Sequence, residues 1–185
     1  MGLEGEDSCA RALKSNAYPS ENRRVLPPSD RSAATRPVTI REFQPGDAAA
    51  FRKLNEEWIA LYFRQLETKD EEALADPQSS VLASGGRIFF AAVEAQIVGC
   101  CCLLRSGADE FEVAKMAVDS SWQGSGIGRK LLHAVIEAAR AAGARRLYLE
   151  TNHILTPAIR LYESVGFKHL PADRIVPSPY ARADV

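Results

Sequence analysis

Long apolar runs, a charge excess and spaced cysteines are all missing from this chain, and each absence removes a class of function. No stretch of about eighteen apolar residues occurs, so no membrane span is expected, and the amino terminus lacks the apolar core of a secretory leader. Glu4, Glu6 and Asp7 argue against an organellar transit peptide, and Glu6 stands where an N-myristoylation signal needs Ser or Thr. Lys and Arg number 23 against 24 Asp and Glu. With charge so balanced, neither nucleic acid nor an anionic membrane is an expected partner, and any anion site must be local. The four cysteines are Cys9 and the run Cys100-Cys101-Cys102, which has neither disulfide nor zinc spacing. His133, His153 and His169 have no metal spacing either, so no metal is expected. A soluble protein of a reducing, cytoplasmic compartment fits these absences.

What is present supports one folded domain, since 185 residues with 46% hydrophobic content can bury a single sizeable core. Residues 1–36, rich in Ser, Pro, Asn and charge, are expected to be a disordered tail, and the domain to span 37–185. Val38 to Phe43 alternates as a strand. Pro45-Gly46-Asp47 then turns the chain, with Asp47 as candidate N-cap of a helix whose stripe is Phe51, Leu54, Trp58, Leu61 and Tyr62. Lys69 to Ala75 predicts a short second helix. Arg87–Glu94 and Ile97–Arg105 read as a hairpin turning at Ala95-Gln96, and Phe111–Val118 as a third strand of the run. Strict alternation in that strand places Glu112, Ala114, Met116 and Val118 on one face.

The period then becomes helical: Ile127, Leu131, Val135, Ala138 and Ala142 form a stripe that Gly143 ends. Arg146–Thr151 predicts a buried strand. Thr156 and Pro157 read as N-cap and first helical position of a last helix with Ala158, Leu161, Tyr162 and Val165 on one face, before Gly166. The expected fold is α/β (α+β), a central sheet with helices on its faces.

Gln123-Gly124-Ser125-Gly126-Ile127-Gly128 lies where strand gives way to helix. A helix start offers unpaired N–H groups and a positive dipole end, glycines let an anion approach, and Arg129 and Lys130 add cationic charge. Taken alone, this is equally a flexible turn. Three strands precede the glycines, which is one argument against a dinucleotide fingerprint, and Gly128-Arg129-Lys130 does not complete a Walker loop.

Together with a later helix reading Ala158-x-x-Leu161-Tyr162-x-x-x-Gly166-Phe167, the motif Gln-x-x-Gly-x-Gly resembles the GNAT superfamily of acyl-CoA-dependent N-acyltransferases over about Val38 to Arg182. The resemblance implies a mixed, mostly antiparallel sheet and acetyl-CoA as co-substrate. It implies that Met116, Ala117 and Val118 meet the pantetheine arm by backbone contacts, and that Gln123, Gly124, Ser125, Gly126, Ile127, Gly128 and Arg129 hold the pyrophosphate. Tyr162 matches the tyrosine that protonates the departing thiolate; its alternative is a core tyrosine. Where many members carry Asn, this chain has Leu155, and Asn152 is the candidate replacement or else an ordinary turn residue.

The attacking amine must be neutral, so a carboxylate is expected near it. Glu112 is the first candidate, on the strand carrying the thioester and on the face of Met116; a bulge there is the counter-argument. Glu150 and Glu57 follow. A backbone N–H near Ala117 or Val118 is the expected oxyanion donor. The three consecutive cysteines read as buried strand residues rather than nucleophiles. Trp58, Tyr62 and Phe63 are expected mostly in the core, bordering the acceptor site. The expected acceptor is a small-molecule amine, against a protein or peptide amine or a non-catalytic acyl-CoA-binding module; homodimer formation is left open. The last strand of such folds is expected to be absent or very short after Ser178.

Overall fold

The computed structural model describes residues 36–171, 178 and 180–185. The expected tail therefore lies outside the described residues, except for Arg36. In chain order the elements are β1 (Val38–Glu42), α1 (Ala48–Phe63), α2 (Thr68–Ala75), a π-helical turn (Gln78–Leu82), β2 (Arg87–Val93), β3 (Gln96–Arg105), β4 (Glu110–Val118), a 3₁₀ turn (Ser120–Trp122), α3 (Ile127–Ala141), β5 (Arg146–Leu149) and α4 (Thr156–Ser164). The strands form one sheet in sequence order, antiparallel from β1 to β4, with β5 parallel to β4.

Both faces of the sheet are covered, which is why β2 and β3 read as continuous apolar runs rather than alternating ones. On one face Phe89, Ala91, Cys101 and Leu103 pack with Leu131, Leu132 and Val135 of α3. On the other, Ile88, Phe90, Cys100 and Cys102 meet Phe51, Leu54, Leu74 and Val81 from α1, α2 and the π-helical turn. Cys100, Cys101 and Cys102 are fully buried, and burial pushes the thiol of Cys100 up to about 12 and raises the other two as well. A thiol kept protonated is a poor nucleophile.

Several local expectations need correction. Asp47 precedes α1 but makes no side-chain cap bond, because its carboxylate is taken by Arg41 at 2.6 and 2.9 Å and by the Gln44 N–H at 2.7 Å. The buried stripe of α1 is Phe51, Leu54, Asn55 and Ile59, whereas Leu61 is 61% and Tyr62 38% exposed. Asn55 is satisfied there by donating to the Phe51 carbonyl and the Cys100 sulfur. The hairpin turns at Glu94-Ala95, with Glu94 at φ 55°, and Val93 faces Gln96. Ala142, assigned to the α3 stripe, lies beyond the helix and is exposed. Leu155, buried at 7%, is the residue capping α4 by position, and Thr156 already belongs to the helix. The strand expected over Arg146–Thr151 stops at Leu149 and is partly exposed.

The correction that matters most for function is in β4. Cys100 pairs with Ala117 but Cys102 with Ala114, so Lys115 and Met116 together oppose Cys101, and Lys115 takes φ 50°. Such a bulge reverses which face later side chains occupy. Phe111 and Val113 pack with the α3 side, as do Met116 and Val118, while Ala117 packs with the α1 side. Glu112 therefore does not share a face with Met116.

Candidate active site

β4 and β5 separate after four paired residues. Their parallel register runs from Glu110↔Arg146 to Val113↔Leu149, yet β4 continues to Val118. The chain after Leu149 turns away: Thr151 donates to the Val185 carbonyl at 2.9 Å and accepts from the Asp184 N–H at 3.0 Å. This short bridge stands where a further strand was expected to be absent or minimal. Among the described residues no strand covers Ala114–Val118 on the β5 side. The resulting wedge exposes strand edge of the kind that an extended polar chain can pair with. A cavity of about 100 Å³ opens there, lined by Glu112, Lys115, Met116, Glu150 and Tyr162 and by Trp58 of α1.

The glycine-rich loop leads from the end of β4 into α3. The Gln123 side-chain amide donates to the Val118 carbonyl at 3.2 Å, and the Ser125 hydroxyl donates to Trp122 at 2.5 Å. Gly124 and Gly126 have φ 77° and 82° with open space around them, so the left-handed backbone is what requires glycine there. Gly128 is required for the opposite reason: a Cβ would stand 3.0 Å from the Met116 methyl and 3.2 Å from Leu161. That contact brings the helix start, the β4 edge and α4 together. The Ile127 side chain is buried in the core, leaving its backbone N–H for any ligand, while Arg129 and Lys130 are exposed. The first helical bond is Lys130 N–H to Gly126 at 3.2 Å, so the N–H groups of Ile127, Gly128 and Arg129 precede it, as an anion at a helix start requires.

Tyr162 is held over the wedge by α4, its ring 6.2 Å from that of Phe167 and its hydroxyl 3.8 Å from the Met116 sulfur. Burial, with a smaller effect of the Cys101 side chain, raises its pKa, so it keeps its proton. Glu112 is pushed up to about 7, first by burial and then by the nearby Glu150 charge; Lys115 and Tyr148 pull the other way. Glu150 accepts from the Ser178 hydroxyl at 2.5 Å. Glu57 is exposed on α1, 3.8 Å from Lys53, and outside the lining of this cavity. Of the three carboxylates considered from sequence, the fold brings Glu112 and Glu150 together and leaves Glu57 apart. Asn152 lines the cavity while donating to the Arg182 carbonyl and accepting from the Ile154 N–H, which leaves one amide hydrogen and one lone pair for a ligand.

Sequence reasoning missed the charged group beneath the cavity. Asp70 is fully buried, accepts from Lys115 at 2.7 Å, and takes the Arg182 guanidinium through two bonds at 2.6 and 2.7 Å. Burial alone favours the neutral acid, but these partners outweigh it and hold Asp70 down at about 2. Glu67 binds Arg182 at 3.1 Å and accepts from the Ala181 N–H at 2.9 Å. Tyr180 accepts from Lys115, and Arg182 lies over the rings of Tyr180 and Phe63. The available signal was weak: Glu67 and Asp70 have the spacing of a reciprocal helix cap, which they form.

A splayed β4–β5 pair thus lies beside a glycine-rich helix start, and comparison with known proteins gives the family that shares this fold. The family model described as "Acetyltransferase (GNAT) family" matches residues 51–167. The chain belongs to the GNAT family of acetyltransferases. It is similar to the "Uncharacterized N-acetyltransferase YjgM" of Escherichia coli, 41% identical over 68 residues, covering 37% of this chain and 41% of the relative. It also resembles the "Probable N-acetyltransferase camello" of Xenopus laevis, 32% identical with 60% and 53% covered. For the "N-alpha-acetyltransferase RimI" of Mycobacterium tuberculosis the figures are 31% identity, with 75% and 84% covered. This chain spans about half the length of the first two. The fold matches a GNAT acetyltransferase from Staphylococcus aureus with a TM-score of 0.71 at 22% identity, covering 80% and 95% of the two chains. A GNAT acetyltransferase from Elizabethkingia anophelis with acetyl-CoA bound matches at 0.51 and 25% identity, covering 72% and 78%.

Proposed function

We propose that this protein transfers an acetyl group from acetyl-CoA to a small-molecule primary amine by direct attack, with Glu112 as base and Tyr162 as acid. The observation that carries this is their placement: Glu112, held near 7 and so able to take or release a proton at neutral pH, and Tyr162, which keeps its proton there, border one wedge in the sheet. In this reading the pyrophosphate rests on the loop from Gln123 to Arg129, and the pantetheine arm runs along the β4 edge at Met116–Val118. Asn152 borders that arm.

The amine arrives as an ammonium and passes one proton to ionised Glu112. Its lone pair then attacks the thioester carbon while the N–H of Val118 takes the developing oxyanion; the expected alternative, the Ala117 N–H, faces Cys100 on β3 instead. As the tetrahedral intermediate collapses, the C–S bond breaks, Tyr162 protonates the thiolate, and the amine nitrogen loses its remaining surplus proton to solvent. Tyr162 then regains a proton as Glu112 releases the one it took. A thiolate whose parent pKa is about 8.5 accepts a tyrosine proton in the transition state even though the tyrosine is a weak acid. A small acceptor is supported by Glu67, which ties Ala181 and Arg182 to the turn between α1 and α2 and so joins two walls of the cavity. An extended peptide needs an open groove there.

Calorimetric titration with acetyl-CoA, CoA and ATP, followed by CoA release with primary amines, tests this. Acetyl-CoA is expected to bind in preference to ATP, and a preference for ATP sinks the reading. Tyr162→Phe is expected to slow turnover by about 100-fold with acetyl-CoA binding nearly intact. An unchanged rate removes Tyr162 from its role.

A further inference from the structure

The charges around the cavity fall into two sets. Asp70, Glu67, Lys115 and Arg182 bind one another, two anions against two cations, and close on themselves. Glu112 and Glu150 are left at the reacting end, and among the described residues neither makes an ion pair within 4 Å; Lys115, committed to Asp70 and Tyr180, offsets their charge only in part. The cavity also has an apolar and aromatic lining: Trp58 and Phe63 lie 5.6 Å apart between ring centroids, Phe63 with Arg182 over its ring, and Ile59 and Leu155 line the same space.

From these two features we infer that the acceptor is a primary amine on an apolar alkyl or aryl body with no carboxylate beside the amine, and that the Glu112–Glu150 pair excludes free α-amino acids. The inference rests on the acetyltransferase reading and supplies the acceptor class which that reading leaves open. An ammonium is attracted into a site with two carboxylates. A carboxylate one carbon from that ammonium is carried toward the same two charges, and among the described residues the cations lining the cavity are already bound to Asp70 and Glu67. An apolar body instead covers Trp58 and displaces water from it.

The test compares CoA release with phenethylamine, hexylamine, phenylalanine, phenylalanine amide and aspartate. Phenylalanine and its amide share a side chain but differ in amine basicity as well as charge, so rates are compared per neutral amine, and the change of their ratio in Glu150→Gln isolates the carboxylate effect. Phenethylamine, hexylamine and the amide are expected to turn over, with kcat/KM for phenylalanine on the order of 100-fold below its amide. Glu150→Gln is expected to shrink that ratio about tenfold and to move the Glu112 limb of the pH profile downward, since one like charge is gone. Preference for phenylalanine or aspartate overturns the acceptor class and leaves the acetyltransferase reading standing. Binding of acetyl-CoA without turnover of any of the five also overturns the class. Absence of both acetyl-CoA binding and CoA release overturns the reading itself, and the class with it.

Discussion

On the proposed mechanism, Glu112 sets the pH behaviour of the site. Because its carboxyl is held near 7, activity is expected to rise with pH through that value as the base ionises, and Glu112→Gln should abolish the limb along with most of the rate. The same shift has a stability consequence of opposite direction. Between the ordinary carboxyl range and pH 7 the folded state binds more protons than the unfolded chain, so stability falls as pH rises across that window. Glu112→Gln should therefore melt higher than the parent protein at pH 8, with the difference vanishing below about pH 4.5, as thermal denaturation across pH will show. Gly126 supplies a second residue-level prediction. Placing a Cβ at φ 82° costs about 1–2 kcal/mol, so Gly126→Ala should lower stability and weaken acetyl-CoA binding together, measured by denaturation and calorimetry.

Among the elements, α2 contributes through one side chain. Asp70→Ala strands Lys115 and Arg182 beneath the cavity without their shared anion, and breaking a buried pair of this kind costs about 3–5 kcal/mol. Denaturant unfolding should show that loss. In the parent protein the contribution should be complete above pH 3.8 and fade as pH falls toward 2, because protonation removes the charge both cations share. None of this was legible in sequence. Asp70 and Lys115 are 45 residues apart and Asp70 and Arg182 are 112 apart, and no local pattern links them. The helix start at Ile127 and the face of α4 carrying Tyr162 were legible because their signals are local: glycines at a strand end, and apolar residues at helical spacing. The face of Glu112 was not, since alternation assumes an unbroken strand and the extra residue at Lys115 breaks it. Leu61 and Tyr62 were misplaced because spacing says where a stripe runs but not where the sheet beneath α1 ends.

Across the whole molecule, the sheet separates support from chemistry. α3 fills one face and α1 the other, and the wedge opens only where β5 leaves β4. Acetyl-CoA at 100 times its Kd is expected to stabilise the fold by about 2.7 kcal/mol. Hydrogen exchange should then show new protection at Ala114–Val118 and in the loop from Gln123 to Arg129, while the π-helical turn at Gln78–Leu82 stays unchanged. Protection spread evenly over the sheet would contradict a donor site confined to the wedge.

β4 carries an extra residue at Lys115, as β3 does at Val98, and the length of β4 decides which of its side chains reach the wedge. Removing one residue at position 115 would abolish the bulge and restore strict parity along the strand, with Met116 and Val118 still on the α3 side and the segment before it in place. Substitutions on either side of that point can drift independently, but a one-residue insertion or deletion that the bulge does not absorb would exchange the faces of every side chain beyond it in a single step.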